Sequence, residues 1–199
     1  MAISADQVKA LRDATGAGMM DSKRALEATN GDLEKAKDWL RQKGMAKAGA
    51  KATRTARDGI IATYVHHNHQ LGVLLELNSE SDFVARNDEF RHLAHEIAVH
   101  IAAAEPKYLR REDVPADVLD RERAIFEAQA KDQKKPEAVI EKIIQGKMND
   151  FYKREVLLDQ AWAKDDKRTV EQMLKEAIAK LGENITISRF ARFKVGEAS

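Results

Sequence analysis

Leu71-Gly72-Val73-Leu74-Leu75-Glu76-Leu77-Asn78-Ser79-Glu80-Ser81-Asp82-Phe83-Val84-Ala85-Arg86-Asn87 passes from a strand to a helix through a polar loop that carries an aromatic. Val73, Leu75 and Leu77 alternate as in a half-buried strand. Asn87 is a natural N-cap for the amphipathic run Phe90, Leu93, Ala94, Ile97 and Ile101. Asp82 and Phe83 therefore fall at a junction between two rigid elements, where proteins place residues that touch something else. Two readings of them are open. Phe83 tucks under the loop while Asp82 caps a turn, or both face a partner.

Upstream, Gly59 to Val65 reads as a second strand, closing a hairpin around His66-His67-Asn68-His69-Gln70. Downstream, the helix spans about Asp88 to Ala104 and stops before Pro106. Two helical patterns follow, about Ala116 to Lys131 and Glu137 to Asp150, separated by Gln133-Lys134-Lys135-Pro136. Their stripe of Val118, Ile125, Val139, Ile140, Ile143 and Ile144 is narrow and heavily charged at its flanks, which predicts a projecting helical hairpin at about 116–150. The chain then reads as a short strand near Glu155 to Leu158, a helix from Val170 to Leu181 ended by Gly182, and an alternating strand from Ile185 to Val195. That last strand is expected to hide Ile185, Ile187, Ala191, Phe193 and Val195 on one face. The fold class is α+β: an antiparallel sheet backed by helices.

Residues 1–44 read as three short helices. Ser4 with Gln7 forms a capping box, Val8 and Leu11 begin an apolar stripe, and Gly16 and Gly18 interrupt it. Asp21 is placed to cap the second helix, Asn30-Gly31 stops it, and Asp32 caps a third carrying Leu33, Ala36 and Leu40 beside Trp39. Residues 45–57 form a basic linker. From Arg41 to Arg57 the chain carries Arg41, Lys43, Lys47, Lys51, Arg54 and Arg57 with no acidic residue. Without an aromatic to stack a base, this stretch reads as a solvated, partly helical connection rather than an RNA-binding arm. Residues 58–199 form the α+β core.

Composition narrows the function. The 199 residues are 43% hydrophobic, enough for one sizeable domain and a small one, and 34 basic residues balance 33 acidic ones. No global field draws the chain to nucleic acid or to a membrane surface. No window approaches the roughly 18 consecutive apolar residues of a membrane helix, and no apolar signal region opens the chain, so a cytoplasmic location is expected. The absence of cysteine removes disulfides, thiolate metal sites and thiol nucleophiles.

A second segment bears on the Asp82-Phe83 loop. Thr15-Gly16-Ala17-Gly18-Met19-Met20-Asp21, followed by Asn30-Gly31-Asp32 and Trp39-Leu40, and Asn78-Ser79-Glu80-Ser81-Asp82-Phe83-Val84-Ala85 resemble the two signatures of the bacterial elongation factor Ts family. The resemblance runs from Ser4 to Gly196. Ser81 stands where the family usually has Thr, which keeps the hydroxyl and loses a methyl. It implies a ubiquitin-associated-like N-terminal bundle, a projecting coiled-coil hairpin, and guanine-nucleotide exchange on elongation factor Tu. In the family the loop matched by Ser81, Asp82, Phe83 and Val84 dislocates the partner's Mg²⁺ and phosphate contacts, Phe83 inserting its ring and Asp82 touching the adjacent helix. The Thr15 to Asp21 turn, chiefly Met19 and Met20 with Arg12 alongside, would dock on another surface, although both methionines also suit the core of the bundle. Longer members carry two related sheet-and-helix subdomains, whereas only one Asp-Phe-Val loop occurs here. Shorter relatives work as dimers, so a homodimer is implied.

Enzyme readings fare poorly, and no cofactor is expected. His92 and His95 are spaced i, i+3 but match neither His-Glu-x-x-His nor His-x-x-Glu-His, and His100 lies beside the apolar stripe. A metal hydrolase would need tightly held zinc. No Walker A sequence, Gly-x-Gly-x-x-Gly or nucleophile elbow is present, so any nucleotide involved is bound by another protein. The reading from a different class is a non-catalytic adaptor that binds ubiquitin-like or ribosomal surfaces through the three-helix module, and it predicts binding with no effect on GDP release.

Overall fold

A computed structural model describes residues 3–131 and 136–197. It is α+β, with a three-stranded antiparallel sheet and eight helices among the described residues. Two compact units emerge. The first comprises Met1–Gly59, Asn78–Phe90 and Gln172–Thr186, the second Ile60–Leu77, Arg91–Glu171 and Ile187–Ser199.

In the first unit, helices α1 (Ala5–Thr15), α2 (Met19–Ala28) and α3 (Leu33–Lys51) bury Val8, Leu11, Ala25, Leu26 and Ala36, with Ile3, Trp39 and Leu40 packed around them. The capping box at the start of α1 is reciprocal. Gln7 N donates to Ser4 Oγ at 3.2 Å and Ser4 N donates to Gln7 Oε1 at 3.0 Å. Gly16 ends α1 at φ 67°, a left-handed conformation that costs any residue with a Cβ. Asp32 caps α3 by accepting from Lys35 N at 3.1 Å, and that bond holds its carboxyl below the usual range.

One local expectation changes. Asp21 does not cap α2: the helix starts one turn earlier, after Gly18, and Asp21 sits in its first turn, where its charge favours the helix dipole. Helix α3 runs on to Lys51, into the stretch read as a partly helical connection, and Ala48 there is buried.

In the second unit, β1 (Asp58–Val65), β2 (Leu71–Ser79) and β5 (Thr186–Lys194) form one sheet in the order β1-β2-β5. His66 N bonds to Leu71 O and Val195 N to Gln70 O, which fixes the register. Val73, Leu75 and Leu77 are buried, as their alternation predicts. Helix α5 (Asp88–Ala104) buries Ala94, Ile97, Ala98 and Ile101, and its His95 meets Tyr64 of β1 edge-on at 6.0 Å.

Strand β5 departs from its expected alternation. Ile185 and Ile187 are buried, but Ser188 and Arg189 are exposed in succession, Arg189 pairs with Glu76 on the open face, and Phe193 and Val195 stay in solvent. Beyond the slip the inward-facing position falls to Arg192, whose side chain is 10% exposed and ion-paired to Glu105 and Glu197. Ile61, Val65, Leu74 and Phe193 are exposed on their strands, as is Val195 just past the end of β5.

Helices α6 (Ala116–Lys131) and α7 (Glu137–Glu155) form the expected hairpin, α7 running five residues past the expected end at Asp150; three residues of the expected connection, 133–135, lie outside the described residues. Arg123 pairs with Glu141 across it at 3.0 Å. Its seam is not the whole predicted stripe: Ile125 and Val139 are exposed, whereas Ala130, Ile144 and Phe151 are buried. No strand occupies Glu155 to Leu158. Val156 makes a single bridge to Tyr108, Leu157–Asp159 is a 3-10 turn, and the pairing comes later in the charged hairpin β3 (Ala161–Trp162) and β4 (Asp165–Thr169). Helix α8 (Val170–Leu181) ends at Gly182, as the sequence predicts.

His100 belongs to the core. It stacks on Trp162 at 5.1 Å, accepts from Ala163 N through Nδ1 at 3.3 Å, and therefore donates from Nε2 to Gln160 Oε1 at 3.0 Å.

Candidate functional site

Strand β2 ends in a polar turn in which Ser79, buried, donates its hydroxyl to Ser81 O at 2.9 Å. Ser81 then starts the single-turn helix α4 (Asp82–Ala85), which Ala85 N closes onto Ser81 O and Arg86 N onto Asp82 O. Asn87 caps the next helix as expected, accepting from Glu89 N at 2.8 Å. Of the four loop residues only the ring of Phe83 stands fully in solvent, 84% exposed. It does not tuck under the loop. A phenyl ring held in water on a one-turn helix forgoes roughly 1.5–3 kcal/mol of burial that some other surface can supply. Ser81 and Val84 are half-buried, and Asp82 is paired with Arg86 at 2.9 Å across one turn.

The loop is anchored from the far end of the sequence, all within the first unit. Glu183 accepts from Ser81 N through Oε2 at 2.9 Å and from Ser81 Oγ through Oε1 at 2.6 Å, across 102 residues. Next to it, Asn184 N donates to Glu80 Oε1 at 2.6 Å, Asn184 Nδ2 donates to Arg54 O at 2.7 Å, and Arg54 lies 3.6 Å from Glu80. Lys51 donates to Gly182 O. Sequence reasoning missed Glu80, Glu183 and Asn184, since a Glu-Asn pair after a helix-ending glycine carries no pattern of its own.

The N-terminal turn belongs to the same unit. Met19 and Met20 are 51% and 61% exposed, so neither is a core residue of the bundle, and Arg12 is exposed as well. Thr15 holds the turn, donating to Leu11 O at 2.7 Å and accepting from Ala17 N at 3.3 Å. Gly16 lets α8 approach: a Cβ built there would stand 2.6 Å from Lys180 Cε, and Lys180 is ion-paired to Glu89. Gly44 approaches Ala179 of the same helix, where an added Cβ would fall at 3.1 Å.

Among the described residues no three His, Cys, Asp or Glu side chains gather as a metal site. His66 is bonded to Tyr64 Oη through Nδ1 at 2.9 Å and its ring lies tilted against that of His67, with centroids 4.1 Å apart, while His92 and His95 face solvent. No described helix is long and apolar enough to cross a membrane. The site offers an exposed aromatic, a carboxylate and thioethers on braced backbone.

A model of the Elongation factor TS family matches residues 44–197. The chain is 56% identical to elongation factor Ts of Thermosipho melanesiensis over 195 residues, covering 98% of this chain and 100% of that protein. It is 52% identical to the Thermotoga maritima protein, covering 99% and 98%, and 53% identical to that of Geobacter sulfurreducens, covering 99% and 91%.

Proposed function

Because the chain belongs to the elongation factor Ts family, a nucleotide exchange factor of elongation factor Tu in translation elongation, we propose that it releases GDP by wedging Phe83 into that GTPase. GDP is held through Mg²⁺ and through backbone amides around its phosphates, so a small displacement of either loses several charge-assisted contacts together. In the ternary intermediate, factor and GDP weaken each other by the same factor. A wedge of this kind needs stiffness and no catalytic group, and the protein acts without bond chemistry and without binding nucleotide itself. The single observation that carries the reading is the phenyl ring of Phe83, 84% exposed on the backbone that Glu183 braces.

Asp82 contacts the helix beside the partner's Mg²⁺ site, and Ser81 and Val84 frame the insertion. Met19 and Met20, with Arg12, dock residues 1–44 on a second surface of the GTPase; their adaptable thioethers suit an apolar patch. Two copies join in a homodimer through the open sheet face, whose Ile61, Val65, Leu74, Phe193 and Val195 form an apolar patch of the kind that soluble proteins cover. The protein works in the cytoplasm, where its GTPase partner cycles.

Stopped-flow release of fluorescent GDP from elongation factor Tu tests the reading. Saturating protein is expected to speed release by orders of magnitude. Binding with an unchanged release rate would instead select the adaptor reading.

A further inference from the structure

The Phe83 loop has an anchor that its own sequence does not contain. We propose that Glu183 is a positioning residue for nucleotide exchange: its carboxylate, chelating the amide and hydroxyl of Ser81, holds Asp82 and Phe83 at the attitude in which they meet the GTPase. The inference rests on the wedge reading above.

The geometry is specific. Ser81 begins α4, and its backbone sets the direction in which the single turn carrying Phe83 leaves the strand. A four-residue helix has almost no stability of its own, so beside the burial of Ala85 its attitude comes from what holds its N-cap, Ser81. Glu183 holds that residue twice, at 2.9 Å on the amide and 2.6 Å on the hydroxyl, and two simultaneous bonds fix direction where one leaves a pivot. Glu183 is itself held. Gly182 at φ 84° turns the chain out of α8, Lys51 binds the Gly182 carbonyl, and Asn184 is tied to Glu80 and Arg54. The amide of Ser81 and that of Asn184 are thus each satisfied by a carboxylate from the opposite segment, Glu183 and Glu80 in turn. Such a reciprocal pair resists sliding in either direction. The ring of Phe83 is 84% exposed, which separates the clamp from the contact it directs.

Loss of the clamp should act on the rate of the bound complex rather than on its formation, since Met19 and Met20 lie elsewhere in the unit. Glu183→Ala is expected to lower the maximal stimulated rate of GDP release by about tenfold or more, as small misplacements of a reacting geometry do, with a half-saturating concentration changed by less than about threefold. Glu183→Gln keeps one acceptor and should recover part of the rate. Ser81→Ala should lower it in the same sense, and the double variant Glu183→Ala/Ser81→Ala should be little worse than Glu183→Ala. In a Phe83→Ala background, Glu183→Ala should cost nothing further.

An unchanged maximal rate in both Glu183→Ala and Glu183→Gln, while Phe83→Ala is slow, overturns the clamp and leaves the wedge standing. A normal rate for Phe83→Ala removes the wedge and the clamp with it. Should Glu183→Ala fail to fold, Glu183→Gln and Ser81→Ala decide alone: full rates in both refute the proposal.

Discussion

Phe83 and Glu183 divide the work of one loop between a residue that faces outward and one that aims it. Truncating the outward one should separate function from stability. Phe83→Ala removes a side chain that is 84% exposed, so the unfolding free energy should change by less than about 0.5 kcal/mol. Stimulated GDP release should fall by about tenfold or more, equivalent to ~1.4 kcal/mol of the barrier. Thermal denaturation beside stopped-flow kinetics checks both halves, and a variant that unfolds would show that the ring holds the loop together. Asp82→Ala has a milder expectation. Its pairing with Arg86 is exposed and contributes at most about 1 kcal/mol to stability, so a fall in exchange beyond that would come from the partner's side.

At the scale of elements, the start of α2 and the seat of α5 make opposite demands on their residues. Helix α2 opens with two methionines in solvent, and nothing in the bundle core needs them. Replacing both Met19 and Met20 with Ala should leave the melting curve nearly unmoved while raising the half-saturating concentration for exchange by about tenfold, with the maximal rate retained. An unaltered titration would remove the docking role from this turn. His100 of α5 is in the contrary position. Burial holds its pKa below the ordinary imidazole value of 6.5, and the bond to Gln160, which pulls the other way, does not offset it. The unfolded chain therefore takes up a proton at a higher pH than the native one. The neutral ring's contribution is complete above about pH 7.5 and is lost as pH falls through 6.5 toward the lower native value. Melting temperatures at pH 7.5 and 5.5 should differ more for the natural protein than for His100→Gln; equal differences would show that this histidine does not govern the acid limb.

For the molecule as a whole, the consequence lies in association. The three-stranded sheet has two edges and an open face that carries exposed apolar side chains, and no disulfide can close an assembly because the chain has no cysteine. A homodimer through that face must be noncovalent and dependent on concentration. Sedimentation at micromolar protein should give the dimer mass, and Phe193→Asp with Leu74→Asp should give the monomer while each chain stays folded, since both side chains already face solvent. A monomeric mass for the natural chain, alone and with the GTPase, would exclude the dimer.

Patterns that neighbours along the chain enforce are legible in the sequence by itself. The alternation of Val73, Leu75 and Leu77, the caps at Ser4, Asp32 and Asn87, and the helix end at Gly182 depend on residues within one turn or one strand, and each takes the form that its local sequence dictates. The Thr15 to Asp21 and Ser81 to Ala85 segments also mark the turn and the loop, because short motifs carry their own chemistry. Tertiary structure alone decided the rest. The slip after Ile187 put Phe193 outside and Arg192 inside, which no alternation rule foresees once a strand shifts its facing, and the charged β3–β4 hairpin forms with no apolar period to announce it. Phe83 stands out in solvent, and the N-cap of its turn is held by a carboxylate 102 residues from Ser81. A hydrogen bond across that separation is set by how the chain closes on itself, and that closure leaves no trace in the local sequence at either end.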